Sequence, residues 1–298
     1  MALSTGYSER VQPLLLRDEP LWRHTSLRVG GPARFFAEPK SPDDLRALLQ
    51  WATQSGHRSV VLGAGTNVVF PDSGYSGLVI RTAKLVGRLV EGSCLRVAAG
   101  ERLAGIAWWA TRQGLAGLEW ACGIPGSIGG AVAMNAGTRD GDVAGVLSTA
   151  SVLIDGEVRT VEAEALHLGY RTSALLAGEL SGIVVDATFA LRSDQPEACI
   201  DRARSLMTER LRALPLGASA GSVFRNPSDG PAAGELLERA GCKGMRVGRA
   251  VVSDRHANVI VNEGTDNAGD VLRLIEDMKR CVLERFGVEL REEIVVCS

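Results

Sequence analysis

The stretch from Trp120 to Thr138 constrains this chain more than any other. It is the longest run without a charged residue, and it carries Pro125 and five glycines, Gly123, Gly126, Gly129, Gly130 and Gly137. Backbone so broken by glycine and proline does not span a bilayer as a helix, so no membrane anchor is expected from it. Pro125-Gly126 suits a type II turn, where glycine supplies the positive φ. Gly129-Gly130 lets backbone approach a ligand closely, and Ser127 and Asn135 add side-chain donors. Exposed N–H groups in such loops form concave anion sites suited to a pyrophosphate. The other reading of the same residues is a glycine-rich crossover between packed strands.

A second glycine loop, Gly63-Ala64-Gly65-Thr66-Asn67, follows the β-branched stretch Ser59–Leu62. A dinucleotide fingerprint would need a third glycine where Val68 stands and a long helix where Val69, Phe70 and Pro71 stand. Taken alone, the loop is either a tight turn after a strand or a phosphate-binding turn. Two neutral glycine-rich donors in one domain favour a pyrophosphate held by backbone. FAD fits such a site, because it is held through many neutral contacts and needs no lysine clamp. No GxxxxGK[ST] segment occurs, which argues against ATP hydrolysis.

At 298 residues the chain exceeds one small core, and two or three subdomains are expected. The formal net charge of −2 gives no basic excess for nucleic acid or an anionic membrane surface, and neither partner is expected. A monomer is expected. Cys94, Cys122, Cys199, Cys242, Cys281 and Cys297 form no CxxC pair and no zinc spacing. They read as free thiols of a cytoplasmic protein without a metal site. Leu14-Leu15-Leu16 is too short for a signal-peptide core.

Strands are predicted at Ser26–Val29, Ala33–Ala37, Ser59–Leu62, Gly77–Arg81, Cys94–Ala98, Val152–Ile154, Val158–Val161 and Ile183–Leu191. Helices are predicted after Ser41, at Leu103–Gln113, near Ala198–Leu211, at Glu235–Ala240 and at Ala268–Phe286, the last started by Asn267 and stopped by Gly287. Val288 to Val296 reads as strand. Without regular βαβ alternation the fold class is α+β. A composition change near Ser193-Asp194-Gln195-Pro196 divides the chain into an arm (1–25), a cofactor domain (26–192) and a substrate domain (193–298).

The two loops, and segments beyond them, resemble the UDP-N-acetylenolpyruvoylglucosamine reductases. The resemblance runs through SLRVGGPARFF (Ser26 to Phe36), VLGAGTN (Val61 to Asn67), GIPGSIGGAVAMNAG (Gly123 to Gly137) and YRTS (Tyr170 to Ser173). It continues through GSVFRNP (Gly221 to Pro227), AGCKGMRVGRAVVSDRHANVIVN (Ala240 to Asn262) and VELREE (Val288 to Glu293). It implies an FAD-binding domain of the vanillyl-alcohol-oxidase (PCMH) type in two subdomains, followed by a C-terminal α/β substrate-binding domain. It implies bound FAD, NADPH as hydride donor, and reduction of the enolpyruvyl group of a UDP-sugar to give UDP-N-acetylmuramate. The short distance from Tyr170 to the GSVF loop resembles the subtype that lacks a substrate-capping loop.

The same resemblance assigns roles. Gly63, Ala64, Gly65, Thr66 and Asn67, with Gly123, Pro125, Gly126, Ser127, Gly129, Gly130 and Asn135, are the cofactor-binding candidates. Arg171 is the candidate partner for charge developing on the substrate carboxylate, since guanidinium stays protonated and presents a planar fork. Ser222 is the candidate proton donor to the basic enediolate carbon. Glu293 is the third catalytic candidate, able to donate a hydrogen bond to the enediolate if its setting keeps it protonated, or to orient a water or Arg171. Here the chain departs from the family, which has proline before the glutamate where this sequence has Glu292. In a strand the two carboxylates face opposite sides, so which one serves is open. Tyr170, Asn226 and Lys243 are the substrate-binding candidates, with Arg225, Arg246 and Arg249 near the last. His256 reads as a structural histidine. Two other functions compete: an FAD-dependent oxidase of the same fold, and a UDP-sugar binding module without catalysis.

Overall fold

A computed structural model describes residues 11–297, and the first part of the expected arm lies outside them. The chain forms two compact units. Residues 11–16, 35–64 and 77–210 make the first, and residues 17–34, 65–76 and 211–297 the second. The expected division near Ser193 differs from this. The helix that follows it stays with the first unit, because Ala203 is buried in that unit's core with Leu206 packed against it. Residues 17–34 and 65–76 go to the second, where Leu27, Val29 and Val69 enter the core.

The first unit has two cores. One lies under helix α1 (Pro42–Gln54). Ser41 caps α1 by accepting the Asp44 N–H at 3.1 Å, and Pro42 and two aspartates occupy its first turn. Leu45, Ala47, Leu48 and Ala52 bury one face of α1 against Phe35, Leu78 and Ile80. The Ser59–Leu62 strand pairs in parallel with Leu78–Arg81 and delivers the chain to Gly63. The second core fills one side of an antiparallel five-stranded sheet, ordered Glu157–Glu162, Leu147–Ile154, Ile183–Ala190, Cys94–Ala98 and Arg88–Glu91. Helices α2 (Leu103–Arg112), α3 (Ile128–Ala133) and α4 (Pro196–Ala213) contribute to it.

In the second unit, helix α5 (Ala233–Arg239) and helix α6 (Ala268–Phe286) share a core with the short antiparallel strands Arg246–Val247, Ala250–Val252 and Ile260–Asn262. Ala268, Val271, Leu274, Ile275, Met278 and Val282 form the buried stripe of α6 at helical spacing. Gly287 ends it with φ of 67°. Two predicted strands differ in the fold. Residues 26–29 form a turn closed by Arg28 N–H to Thr25 C=O, with Arg28 at φ of 58°; its alternating Leu27 and Val29 are buried without a ladder. Of 288–296 only Val295–Val296 is a strand, parallel to Val68–Val69. No helix among the described residues is long and apolar enough to cross a membrane.

A distant aspartate holds the start of α6. Asp72 accepts the Ala268 N–H at 2.7 Å and the Gly269 N–H at 3.0 Å, while Asn267 Oδ1 also accepts Gly269. Because a carboxylate here satisfies orphan donors and meets the positive helix end, Asp72→Ala is expected to cost about 1–2 kcal/mol. Asp72→Asn is expected to cost less. Urea unfolding midpoints at constant m check both.

Candidate functional site

In the first unit the two glycine loops meet. A Cβ on Gly63 would lie 2.3 Å from Ser127 Oγ, so only glycine admits this approach. Ser127 is buried and accepts the Gly130 N–H at 3.3 Å, capping α3. Gly129 passes so close to Ala99 that a Cβ would stand 3.0 Å from the alanine methyl, and its N–H bonds Ala99 C=O. Between them lies a cavity of about 230 Å³, lined by Val61, Gly63, Thr82, Gly129, Gly130, Ala133, Leu175, Leu176 and Gly182–Val184. Among the described residues no charged side chain lines it. Neutral backbone, small residues and aliphatic walls fit one portion of a dinucleotide such as FAD, whose heterocycle needs apolar cover and whose phosphates accept backbone N–H groups.

Not every residue expected at the cofactor turns toward this cavity. Gly65 lies in the second unit, against the His24 carbonyl, where a Cβ would come within 1.9 Å. Ala64 ends the first unit's segment, and Thr66 and Asn67 continue in the second. Asn67 Nδ2 donates to the Glu293 carbonyl at 2.9 Å. Gly123 makes room for α4, since a Cβ there would meet Arg210 Cδ at 2.7 Å and Met207 Sδ at 2.8 Å. Pro125 is exposed, and Gly126 C=O accepts the Leu103 N–H.

Asn135 anchors another feature of the same unit. Its Nδ2 donates to Gly169 C=O at 2.9 Å and Asp142 at 3.2 Å, and its Oδ1 accepts the Ala144 N–H. Gly169 is one end of a tight turn whose N–H and C=O both pair with Thr172. Tyr170 and Arg171 form the tip. Arg171 has φ of 54°, a left-handed conformation that favours glycine. Its Nη2 donates to Gly137 C=O at 2.9 Å, and Cζ stands 5.5 Å from the Tyr170 ring centroid. Arg210, which the sequence reading missed, lies near enough for the Arg171 charge to act on it. Burial first, then Arg171, lowers its proton affinity. Two neighbouring guanidinium groups, one of them desolvated, suit an anion. Nothing in the arginine-rich sequence of α4 singled out Arg210.

In the second unit the GSVF loop is the middle of an irregular three-segment ladder. On one side Val223 C=O accepts the Glu293 N–H at 2.7 Å, Arg225 N–H bonds Arg291 C=O, and Phe224 pairs with Glu292. On the other, Ser222 pairs with Val259, and Val223 N–H bonds Asn258 C=O at 2.9 Å. Ser222 and Glu293 are thereby placed on adjacent segments of one unit, whereas Arg171 belongs to the other. The two carboxylates part company. Glu292 Oε1 receives Lys279 Nζ at 2.7 Å. Burial alone would raise its pKa, but the lysine's hydrogen bond and charge prevail and hold it low.

Asn226 Oδ1 accepts the Ala233 N–H at 3.0 Å and so ties the loop to the start of α5. Lys243 Nζ pairs with Glu238 at 2.6 Å, and Arg246 with Glu263. Tyr170 is 57% exposed. His256 accepts the Asn258 N–H on Nδ1, and burial, with Lys243, lowers its pKa, which agrees with a structural histidine.

Residues 212–297 match the family described as UDP-N-acetylenolpyruvoylglucosamine reductase, C-terminal domain, and residues 33–162 match the family described as FAD binding domain. The UDP-N-acetylenolpyruvoylglucosamine reductase of Chloroflexus aggregans is 42% identical over 95% of this chain and 98% of its own length. That of Geobacter sulfurreducens is 40% identical over 99% and 97%. The crystal structure of the Thermus caldophilus reductase superposes with a TM-score of 0.81 at 36% identity, covering 93% of this chain and 97% of that one. A solvent-stable cholesterol oxidase shares the fold alone, with a TM-score of 0.50 at 15% identity over 64% of this chain and 40% of its own. At such identity over nearly its whole length, the chain belongs to the UDP-N-acetylenolpyruvoylglucosamine reductase family.

Proposed function

We propose that this protein is an FAD-dependent oxidoreductase that uses NADPH to reduce the enolpyruvyl group of UDP-N-acetylenolpyruvoylglucosamine, giving UDP-N-acetylmuramate for peptidoglycan precursors. The observation that carries this reading is the nearly end-to-end likeness to reductases of that name. A cytoplasmic setting accords with six free cysteines, which a reducing compartment keeps as thiols.

The chemistry supplied by bound FAD is hydride transfer, taken from NADPH and passed to the terminal vinyl carbon. The residues of this chain have three tasks. Gly63, Ser127, Gly129 and Gly130 shape the neutral cradle that holds the cofactor. Arg171, with Arg210 beside it, binds the substrate carboxylate and stabilises the negative charge that delocalises into it after hydride addition. Ser222 gives its hydroxyl proton to the carbon next to that carboxylate and regains one from solvent, so that the double bond gains one hydride and one proton. Glu293 supports the enediolate as a protonated hydrogen-bond donor. Tyr170, Asn226 and Lys243 complete the contacts to the sugar nucleotide.

Three outcomes test this. Ser222→Ala is expected to stay yellow and be reduced by NADPH, yet lose roughly 10²–10⁴-fold in turnover; unchanged turnover removes the serine from the chemistry. Arg171→Gly is expected to leave stability equal or slightly higher, by up to about 1 kcal/mol, since it relieves the left-handed strain. Its kcat should fall by roughly 10²–10³-fold, and denaturant and steady-state curves read the two effects separately. Gly63→Ala is expected to yield protein with little bound flavin, read from the visible absorbance after gel filtration.

A further inference from the structure

We infer that Asn258 is a positioning residue for Ser222, an inference that rests on the serine's proposed role as proton donor. Asn258 is 3% exposed. Its carboxamide forms a closed two-bond ring with the backbone of Phe224. Phe224 N–H donates to Oδ1 at 2.9 Å, and Nδ2 donates to Phe224 C=O at 2.8 Å. Its own backbone carbonyl accepts the Val223 N–H at 2.9 Å. The two residues after the serine are thus fixed by three hydrogen bonds from one asparagine.

The ring replaces a missing strand partner. Phe224 pairs with Glu292 on one side, and on the other the ladder reaches only as far as Ser222 and Val259. Without the carboxamide the buried N–H and C=O of Phe224 would face that side with nothing to meet them, and an unmet group costs about 1–3 kcal/mol. A carboxamide is the one side chain of this reach that offers a donor and an acceptor side by side. It therefore sets the serine loop in one register. Asn258 is itself held by the turn before it. His256 Nδ1 accepts its N–H at 3.2 Å, and Ser253 Oγ accepts from Arg255 and His256. Proton transfer from serine tolerates little displacement, since about 1 Å of misplacement costs on the order of 10²-fold.

Aspartate and leucine at 258 separate positioning from general structure. Asn258→Asp keeps the acceptor and loses the donor; Asn258→Leu loses both. Both variants are expected to bind FAD and be reduced by NADPH within about twofold of the parent rate in anaerobic stopped-flow. Reoxidation by UDP-N-acetylenolpyruvoylglucosamine should slow by roughly 10–10²-fold. Amide exchange at Val223 and Phe224, followed by NMR, should quicken. In Asn258→Asp alone, reoxidation should recover as pH is lowered, because the protonated acid restores a donor to Phe224 C=O. Adding Asn258→Asp to Ser222→Ala should cost little more, as two changes to one device are not additive. Parent-like reoxidation in both variants, or equal losses in the two half-reactions, overturns the inference. If Ser222→Ala itself reoxidises at the parent rate, the serine reading fails first and takes this one with it. If Ser222→Ala is slow while both 258 variants are fast, only the positioning of the serine falls.

Discussion

Buried backbone polar groups must be bonded, and this requirement governs how the functional loops of this protein are held. The segments that bear the candidate residues are irregular, so ladder pairing satisfies their N–H and C=O groups only in part. Asparagine side chains take the ladder's place. Asn135 holds the turn that presents Arg171, Asn258 holds the segment after Ser222, and Asn67 holds the carbonyl of Glu293. Asn262 does the same for residues 264 and 265 and for Leu27. Each combines a donor and an acceptor on a short stem, and so can dock a loop without adding charge.

The same principle explains what was legible in the sequence. Elements whose backbone satisfies itself announced themselves. Helix α6 was readable end to end from Asn267, its apolar stripe and Gly287, and the strands Ser59–Leu62 and Cys94–Ala98 from their β-branched or alternating residues. The glycine loops were readable as places where backbone comes close to a ligand, and within the protein Gly63 and Gly129 come close to Ser127 and Ala99. What remained hidden was the direction of polar side chains. Asn67, Asn135 and Asn226 are binding candidates in the sequence, and in the fold each has an amide atom bonded to protein backbone. A donor needed by a ligand and one needed by an orphan carbonyl are the same residue in sequence. Only the fold, which decides where strand pairing stops, distinguishes them.

Segment boundaries were obscured for a related reason. Residues 17–34 and 65–76 are far in sequence from the C-terminal half, yet their apolar side chains complete its core. A composition change can mark where a linear domain ends. It carries no trace of a core assembled from three separated segments.

The departure at Glu292 shows how the fold can absorb a change that the sequence leaves ambiguous. A carboxyl group that supports an enediolate as a donor must hold its proton near neutral pH. One paired with an ammonium group does the reverse: its charged form is favoured, and it stays ionised until the solution is well into the acid range. Glu292 is in that second state, taken up by Lys279 of α6. A glutamate in place of proline therefore adds an ion pair to the C-terminal segment and no second acid. Glu293 has its backbone bonded on one side to the segment bearing Ser222 and on the other to Asn67. Lys279 fixes the charge state of Glu292 through its surroundings, which the spacing of the two carboxyl groups in sequence does not reveal.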